Sequence, residues 1–204
     1  MTGVQRTNRS AALRRVVLLL VFAAAASVAG GSQAYAGSPP YTIEGGNARE
    51  QTQVRAALEA SDFDWSVLPR QIAVRISRGG ASCGSPGQVY LDANLLDARR
   101  FSWGVVQHEF AHQVDFLLLD DSDRQLLQRS LGGVSWWGRD GLPHEALTSE
   151  RFASALAWAY WPVRDNVMQP LSAADEAGGM EPAAFRSVLT ALLMPKQIQR
   201  VSSR

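Results

Sequence analysis

The chain carries the pattern His-Glu-x-x-His at His108, Glu109 and His112. On a helix, residues four positions apart lie on one face, so both imidazoles can bind the same divalent metal ion. Glu109 then lies beside the first ligand, where its carboxylate can take a proton from a water molecule on the metal. The pattern predicts a zinc-dependent peptidase. The alternative is a buried helix with two incidental histidines, but the chain has only 3 histidines, and chance would produce the pattern in roughly one such chain in several hundred.

A catalytic zinc ion usually has three protein ligands and one open position, so a third ligand is expected elsewhere in the chain. Asp115 follows His112 by three residues, but positions 108 to 115 of a straight helix span roughly 10 Å, which a short aspartate cannot bridge. We predict that Asp115 supports the site, either by holding an imidazole or by pairing with a neighbouring segment. Glu150 is the better candidate for the third ligand, and Glu145 is its alternative.

Glu150 stands near the start of a predicted helix that runs from Thr148 to about Tyr160 and is ended by Pro162. If this helix packs closely against the motif helix, it can direct one carboxylate at the metal. Small residues on it permit that approach. They are Ala153, Ser154, Ala155 and Ala157. Alternatively, Glu150 is simply an acid that is favourable in the first turn of a helix.

The motif itself requires a helix that can run through a core. Apolar residues surround it and predict a helix from about Ser102, its cap, to Leu119. They are Val105, Val106, Phe110, Val114, Phe116, Leu117, Leu118 and Leu119. The acidic run 120–123 predicts a turn, and a short helix is expected from Arg124 to Leu131.

The remaining patterns predict one α+β domain over residues 48–204. Asn47 and Glu50 form a capping box for a helix that reaches about Ala60. Alternation predicts a strand at 71–77 and a second at 88–92, antiparallel to the first, with a glycine-rich loop between them. A last helix is expected at about 182–193.

Residues 1–36 predict a secretory signal peptide. They contain four arginines and no acid, then an alanine-rich apolar run at 16–29, and a small-x-small cleavage motif that ends at Ala36. The apolar run is too short to span a bilayer comfortably, so we expect no membrane anchor after cleavage and an extracytoplasmic or secreted protein. Residues 37–47 are rich in turn formers and are expected to form a loose N-terminal arm.

Removal of the leader leaves 16 basic and 19 acidic residues, a formal net charge of −3, so no nucleic-acid partner is expected. Cys83 is the only cysteine, which excludes an intramolecular disulfide. Stability is expected to come from the core of a monomeric domain and from the metal.

The segment His108-Glu-Phe-Ala-His-Gln-Val-Asp115 resembles the motif of the anthrax lethal factor-like and MtfA-like metallopeptidases, in the gluzincin branch of the zincins. Their third zinc ligand is a glutamate in a downstream Glu-Phe-Phe-Ala-type helix. Glu150-Arg-Phe-Ala153 resembles that second motif, although Arg151 departs from its first aromatic residue. The resemblance covers residues 86–119 and 148–160.

This resemblance implies a zincin-like domain with a small mixed or antiparallel sheet, in which the motif helix packs against the helix of Glu150. It implies that Zn²⁺ is bound by His108, His112 and Glu150. It also implies that the strand Gln88–Asp92 is the edge along which an extended peptide lies.

The tyrosine with which this family stabilises the transition state has no obvious counterpart here. His144, six residues before Glu150 in a predicted loop, could stabilise the charge of the tetrahedral intermediate. The alternative is a loop histidine in water. Trp136 and Trp137 are adjacent in a glycine-rich loop and cannot both point inward, so one of them could line a substrate cleft.

The sequence therefore predicts a secreted zinc metallopeptidase that hydrolyses a peptide or protein substrate, with Glu109 as general base. One alternative is a zinc-bound binding protein that is catalytically weak or inactive. Another is hydrolysis of a different amide, such as a cell-wall peptide.

Overall fold

The computed structural model describes residues 39–138 and 141–202, which have an α+β fold. The described residues contain a mixed sheet of four strands and six α-helices. The strands are Tyr41–Gly45 (β1), Ile72–Ser77 (β2), Cys83–Ser85 (β3) and Gln88–Asp92 (β4). The α-helices are Ala48–Glu59 (α1), Ala93–Leu96 (α2), Trp103–Leu118 (α3), Asp121–Leu131 (α4), Thr148–Ala159 (α5) and Pro182–Ser202 (α6). Short 3₁₀ helices lie at Trp65–Val67, Arg99–Ser102, His144–Ala146 and Glu176–Gly179.

The strand order is β1-β2-β4-β3, and the only antiparallel pair among these strands is β3 with β4. The prediction that the strand at 88–92 runs antiparallel to β2 is wrong, because the glycine-rich loop between them contains β3. The chain turns back at β3, so β3 forms the hairpin with β4 and leaves β4 parallel to β2. The implied edge position of Gln88–Asp92 is also corrected, since β4 lies between β2 and β3.

Residues 41–45, expected in a loose N-terminal arm at 37–47, form β1 instead. This strand pairs in parallel with β2, from Tyr41 opposite Ile72 to Gly45 opposite Ile76. The turn-forming composition concealed the strand, whose backbone is satisfied by its neighbour rather than by water. Tyr41 and Ile43 pack against the hydrophobic core. The predicted signal peptide lies outside the described residues.

Helix ends follow local hydrogen bonds. The capping box of α1 is confirmed, because the side chain of Asn47 accepts from the backbone of Glu50 and the carboxylate of Glu50 accepts from the backbone of Asn47. Ser102 is at the N-cap of α3, but its hydroxyl donates to the backbone oxygen of Arg99 at 2.6 Å and does not cap the helix.

Two helix boundaries differ from the sequence prediction. Helix α4 begins at Asp121 rather than Arg124, because the carboxylate of Asp120 accepts from the backbone N–H groups of Ser122 and Asp123. The acidic run is therefore a capped helix start and not a turn. Helix α6 continues past the predicted end near residue 193 to Ser202.

Helix α3 contacts α5, α1 and the strands β3 and β4. Its surface is buried nearly all round, which explains the apolar residues on every side of the motif. Phe110 of α3 and Phe152 of α5 are completely buried in the core. Across the part of the chain that the structure describes, we find no helix with the length and apolar character needed to cross a membrane.

Candidate metal centre

Helix α3 presents His108 and His112 on the face that it turns toward α5. Their Nε2 atoms lie 3.3 Å apart, and their rings meet edge to face with centroids separated by 4.9 Å. The side chains are only 2% and 5% exposed. The four-residue spacing therefore brings the two nitrogen atoms to one point, as the sequence predicts.

Glu150 reaches the same point from the first turn of α5. Its Oε2 atom lies 3.2 Å from Nε2 of His108 and 3.3 Å from Nε2 of His112. In a tetrahedral zinc site with bonds near 2.0 Å, two ligand atoms are separated by roughly 3.3 Å. All three separations match this value, so the residues present fit a tetrahedral metal ion.

The carboxylate of Glu150 and the imidazoles around it shift one another's pKa values. Burial favours the neutral acid of Glu150, but the imidazoles of His112, His108 and His144 outweigh it and hold the pKa of Glu150 well below its usual value. Burial likewise favours the neutral imidazole of His112, but the carboxylates of Glu150 and Glu109 prevail and raise its pKa to about 9. The carboxylate of Glu150 thus stays ionised at neutral pH, whereas His112 carries a proton that a metal ion would have to displace.

Glu109 lies on α3 between the two histidines and is completely buried. Neither of its carboxylate oxygens has a hydrogen-bond partner among the described residues. A buried carboxylate without a partner carries a large desolvation cost, which is seldom retained without a function. Burial raises the pKa of Glu109, partly offset by His108 and His112. Its position suits a base that exchanges protons with a water molecule.

His144 is held against the cluster by two acids. Its Nδ1 lies 2.5 Å from Oε1 of Glu176, and its Nε2 lies 3.1 Å from Oε2 of Glu150. The second separation is within hydrogen-bond range, but the N–H does not point at that oxygen, so Nε2 has no aligned partner. The ring is stacked against that of His108, with centroids 6.3 Å apart.

The side chain of His144 is 23% exposed, so the alternative of a loop histidine in water does not describe it. Burial favours its neutral form, but Glu150 and Glu176 raise the pKa of His144 to about 10. Its side chain is more exposed than those of His108, His112 and Glu150.

Asp115 pairs with neighbouring segments, which is the second of the two kinds of contact that we predicted for it. Its Oδ1 accepts from Nε of Arg124 at 2.8 Å, and its Oδ2 accepts from the indole of Trp136 at 3.0 Å. No hydrogen bond joins it to an imidazole in the described part of the chain. Asp115 thereby connects α3 to the start of α4 and to the loop before α5.

Glu145, the alternative third ligand, is exposed on the 3₁₀ helix His144–Ala146 and does not join the cluster of His108, His112 and Glu150.

The two adjacent tryptophans differ in exposure. Trp136 is buried, whereas Trp137 is 37% exposed and stacks on Phe116 with centroids 5.5 Å apart. The rings of Phe116 and His112 are also stacked, with centroids 6.0 Å apart, so a column of aromatic rings runs from His112 to the partly exposed Trp137.

The sheet approaches the site through β3. A Cβ atom on Gly84 would lie 3.1 Å from Cβ of His112 and 3.3 Å from the backbone oxygen of Glu109, so only glycine permits this contact without a shift. Gln113 connects α3 to the same hairpin, since its amide donates to the backbone oxygens of Ser85 and Gln88. These contacts hold the β3–β4 hairpin at a fixed position along helix α3.

Sequence reasoning missed two residues beside the ligands. Ser154 contacts Nδ1 of His108 at 3.0 Å, and Glu176 contacts both Ser154 and His144. Ser154 had a detectable signal, because it lies four residues after Glu150 on the same helix face. Glu176 had none, since it stands in an irregular segment between α5 and α6.

Comparisons with protein-family models, with curated proteins and with solved structures found no match to this chain.

Proposed function

We propose that this chain is a zinc-dependent metallopeptidase of the zincin type, with His108, His112 and Glu150 as its protein ligands. One observation carries the proposal. Three ligand atoms lie 3.2–3.3 Å from one another, and the carboxylate of Glu109 is buried beside them without a partner. Two imidazoles and one carboxylate are a ligand set used by catalytic zinc sites, which keep one position open.

The fold is compatible with this assignment. The motif helix packs against the helix that carries the glutamate, and a small mixed sheet also contacts the motif helix. Both features are those that the resemblance to gluzincins implies. The observed architecture supports the α+β class directly, and the zincin fold is our proposal.

Glu109 is the proposed general base. A bound zinc ion would polarise the scissile carbonyl and make water acidic enough to lose a proton near neutral pH. Glu109 would accept that proton, since its carboxylate is buried, unpartnered and raised in pKa. The same carboxyl group would then donate the proton to the leaving amine. The absence of a hydrogen-bond partner among the described residues leaves both oxygens free for this exchange.

His144 is the proposed donor to the developing oxyanion. Glu176 holds its Nδ1, so the ring keeps its Nε2 directed into the site beside Glu150. A raised pKa keeps a proton on Nε2, as a donor requires. His144 would thus take the role for which the chain has no obvious tyrosine.

Digestion of a broad peptide library tests the activity. We expect the wild-type protein to cleave peptides, to lose this activity with a chelator and to regain it with zinc. Glu109→Gln should retain zinc and cleave roughly 10²–10⁴-fold more slowly, whereas Glu145→Gln, at an exposed acid, should match the wild type. Undiminished cleavage by Glu109→Gln would contradict the proposed role of Glu109 as general base.

A second function is favoured by the burial of the cluster. The ligand side chains are at most 5% exposed and Glu109 is completely buried, which suits a structural zinc site in a binding protein. In that case the wild type would bind zinc but leave the whole peptide library intact.

We also propose that the mature protein is exported after removal of residues 1–36. Cleavage after Ala36 would leave β1 intact, since this strand begins at Tyr41. N-terminal sequencing of the protein recovered outside the cytoplasm should begin at Gly37. A first residue within β1 would contradict the assigned cleavage site.

A further inference from the structure

The carboxylate of Glu176, which is not one of the three proposed ligands, contacts His144 directly and contacts His108 through the hydroxyl of Ser154. Oε1 of Glu176 accepts from Nδ1 of His144 at 2.5 Å, and Oε2 accepts from the hydroxyl of Ser154 at 2.7 Å. The two partners belong to different elements, the 3₁₀ helix His144–Ala146 and helix α5. Glu176 itself begins a third element, the 3₁₀ helix Glu176–Gly179.

The Ser154 arm ends at a predicted metal ligand. A serine hydroxyl has one proton, and here it donates that proton to Glu176, so its oxygen is free to accept. Two other neighbours lie within range of this oxygen, the sulfur of Met168 at 3.5 Å, which has no proton to donate, and Nδ1 of His108 at 3.0 Å. His108 must then carry its proton on Nδ1, which leaves the Nε2 lone pair facing Glu150 and His112.

The His144 arm fixes the ring beside the ligands. Since Nδ1 of His144 donates to Glu176, the ring cannot rotate to present that nitrogen to the site. Its Nε2 is consequently the atom that lies 3.1 Å from Oε2 of Glu150. One carboxylate thus orients a ligand on one side of the site and a flanking imidazole on the other.

Arg151 anchors the segments that bring Glu176 and His144 together. Its guanidinium donates to the backbone oxygens of Ala173 and Ala174 at 3.2 Å and 3.1 Å, and to that of Glu145 at 3.3 Å. Arg151 is almost completely buried and follows Glu150 directly in α5. This explains why an arginine occupies the position where the resembled motif has an aromatic residue.

We propose that Glu176 is a positioning residue that sets the proton location of His108 through Ser154 and the orientation of His144 directly. The proposal deepens the proposed function, because it assumes that His108 binds the metal. Carboxylates and hydroxyls behind a ligating histidine fix its ring and raise its basicity, and their loss typically costs about 10–100-fold in metal affinity or activity.

Zinc affinity, measured by competition with a chromophoric chelator, is the first test. Glu176→Gln and Ser154→Ala should each weaken zinc binding by about 10–100-fold. Glu181→Gln, at an exposed acid five residues further on, should bind zinc like the wild type. A merely structural role would instead lower thermal stability and leave zinc affinity unchanged. Wild-type affinity in both the Glu176 and Ser154 variants would overturn the proposal.

The imidazole N–H resonances supply a readout that does not require the metal. With 3 histidines in the chain, their ring signals can be assigned by substitution. In the metal-free wild type we expect protected, low-field Nδ1–H signals from His108 and His144. Glu176→Gln should shift both signals, whereas Ser154→Ala should shift only that of His108. Ser154→Ala removes one oxygen atom, so it tests the His108 arm even if Glu176→Gln fails to fold.

These measurements separate the two proposals. A wild-type protein that binds no zinc would contradict the proposed function, while the Nδ1–H signals of His108 and His144 would still test the positioning role of Glu176. If the wild type binds zinc but the ring signals are unchanged in Glu176→Gln, only the positioning role of Glu176 would be contradicted.

Discussion

Oε2 of Glu150 lies 3.3 Å from Nε2 of His112, although the two residues are 38 positions apart in the chain. The same oxygen lies 3.2 Å from Nε2 of His108. We therefore expect Glu150→Ala to lose zinc. Its zinc affinity should fall by more than the roughly 100-fold that follows the loss of a residue that only supports a ligand. Metal analysis after dialysis measures the effect, and Glu145→Ala serves as the control because that acid is exposed. Full zinc content in Glu150→Ala would show that the third ligand lies elsewhere.

Replacement of His144 should separate catalysis from metal binding. His144 is proposed to donate to the oxyanion and not to bind the metal, so His144→Ala should retain zinc. We expect kcat to fall by roughly 10²–10³-fold with little change in KM, as for the loss of an oxyanion donor. Steady-state kinetics on a cleaved library peptide, with metal analysis in parallel, provide the measurement. Loss of zinc in this variant would instead make His144 a ligand.

Asp115 should matter for stability more than for metal binding. Its carboxylate is completely buried, and Arg124→Ala would leave it without its charged partner. Removing one member of a buried pair costs about 3–5 kcal/mol, and the partial exposure of Arg124 reduces our expectation to about 2–3 kcal/mol. Urea unfolding measures this loss. The zinc affinity of the folded Arg124→Ala protein should remain close to that of the wild type, and a collapse of affinity would contradict a role that is mainly in stability.

The N-cap of α4 predicts a pH-dependent stability. The hydroxyl of Ser122, the backbone N–H of Asp123 and the ammonium of Lys196 hold the pKa of Asp120 below its usual value. A depressed pKa in the folded state adds stability that is complete above the unfolded pKa of about 3.9 and is lost as the pH falls below it.

The Asp120→Ala variant should therefore be less stable than the wild type between about pH 6 and 8, and the difference should shrink below about pH 4. Unfolding curves at several pH values test this dependence. Asp121→Ala is the matched control, since the side chain of Asp121 is 93% exposed. A difference that stays constant down to pH 2 would argue against an ionised cap.

Gly84 should tolerate a methyl group poorly. In Gly84→Ala the new Cβ would meet Cβ of His112 at 3.1 Å, so β3 or the motif helix must shift. We expect a destabilisation of about 1 kcal/mol, at the lower end of overpacking costs, together with weaker zinc binding. Gly80→Ala, in the segment before β3, is the control, because its Cβ would meet nothing nearer than 3.4 Å. Equal behaviour of the two variants would exclude close contact between β3 and the site.

Much of the site could be predicted from the sequence because its first half is local. The spacing of His108 and His112 matches one helical turn, so it determines their common face without reference to the rest of the chain. Glu150 was identified by chemistry and by resemblance, and it lies where that prediction requires. The capping box at Asn47 and the boundaries of α5 also follow from local signals.

Elements that depend on distant partners were harder to predict. The strand β1 gains its hydrogen bonds from β2, and its own residues signal turns. The short strand β3 exists because β4 pairs with it, in a stretch whose glycines and serines predict a loop. The direction of β4 was assigned incorrectly for the same reason, since the path of the intervening loop is not visible in the pattern of either strand.

The sequence alone determined the α+β class and the common helix face of His108 and His112, because helical periodicity and apolar patterning act over a few residues. Only the tertiary structure decided that Glu176 bridges Ser154 and His144, which lie 22 and 32 positions from it. No local propensity encodes such distances. They result from the packing of α3 against α5 and from the carbonyl groups that Arg151 gathers behind them.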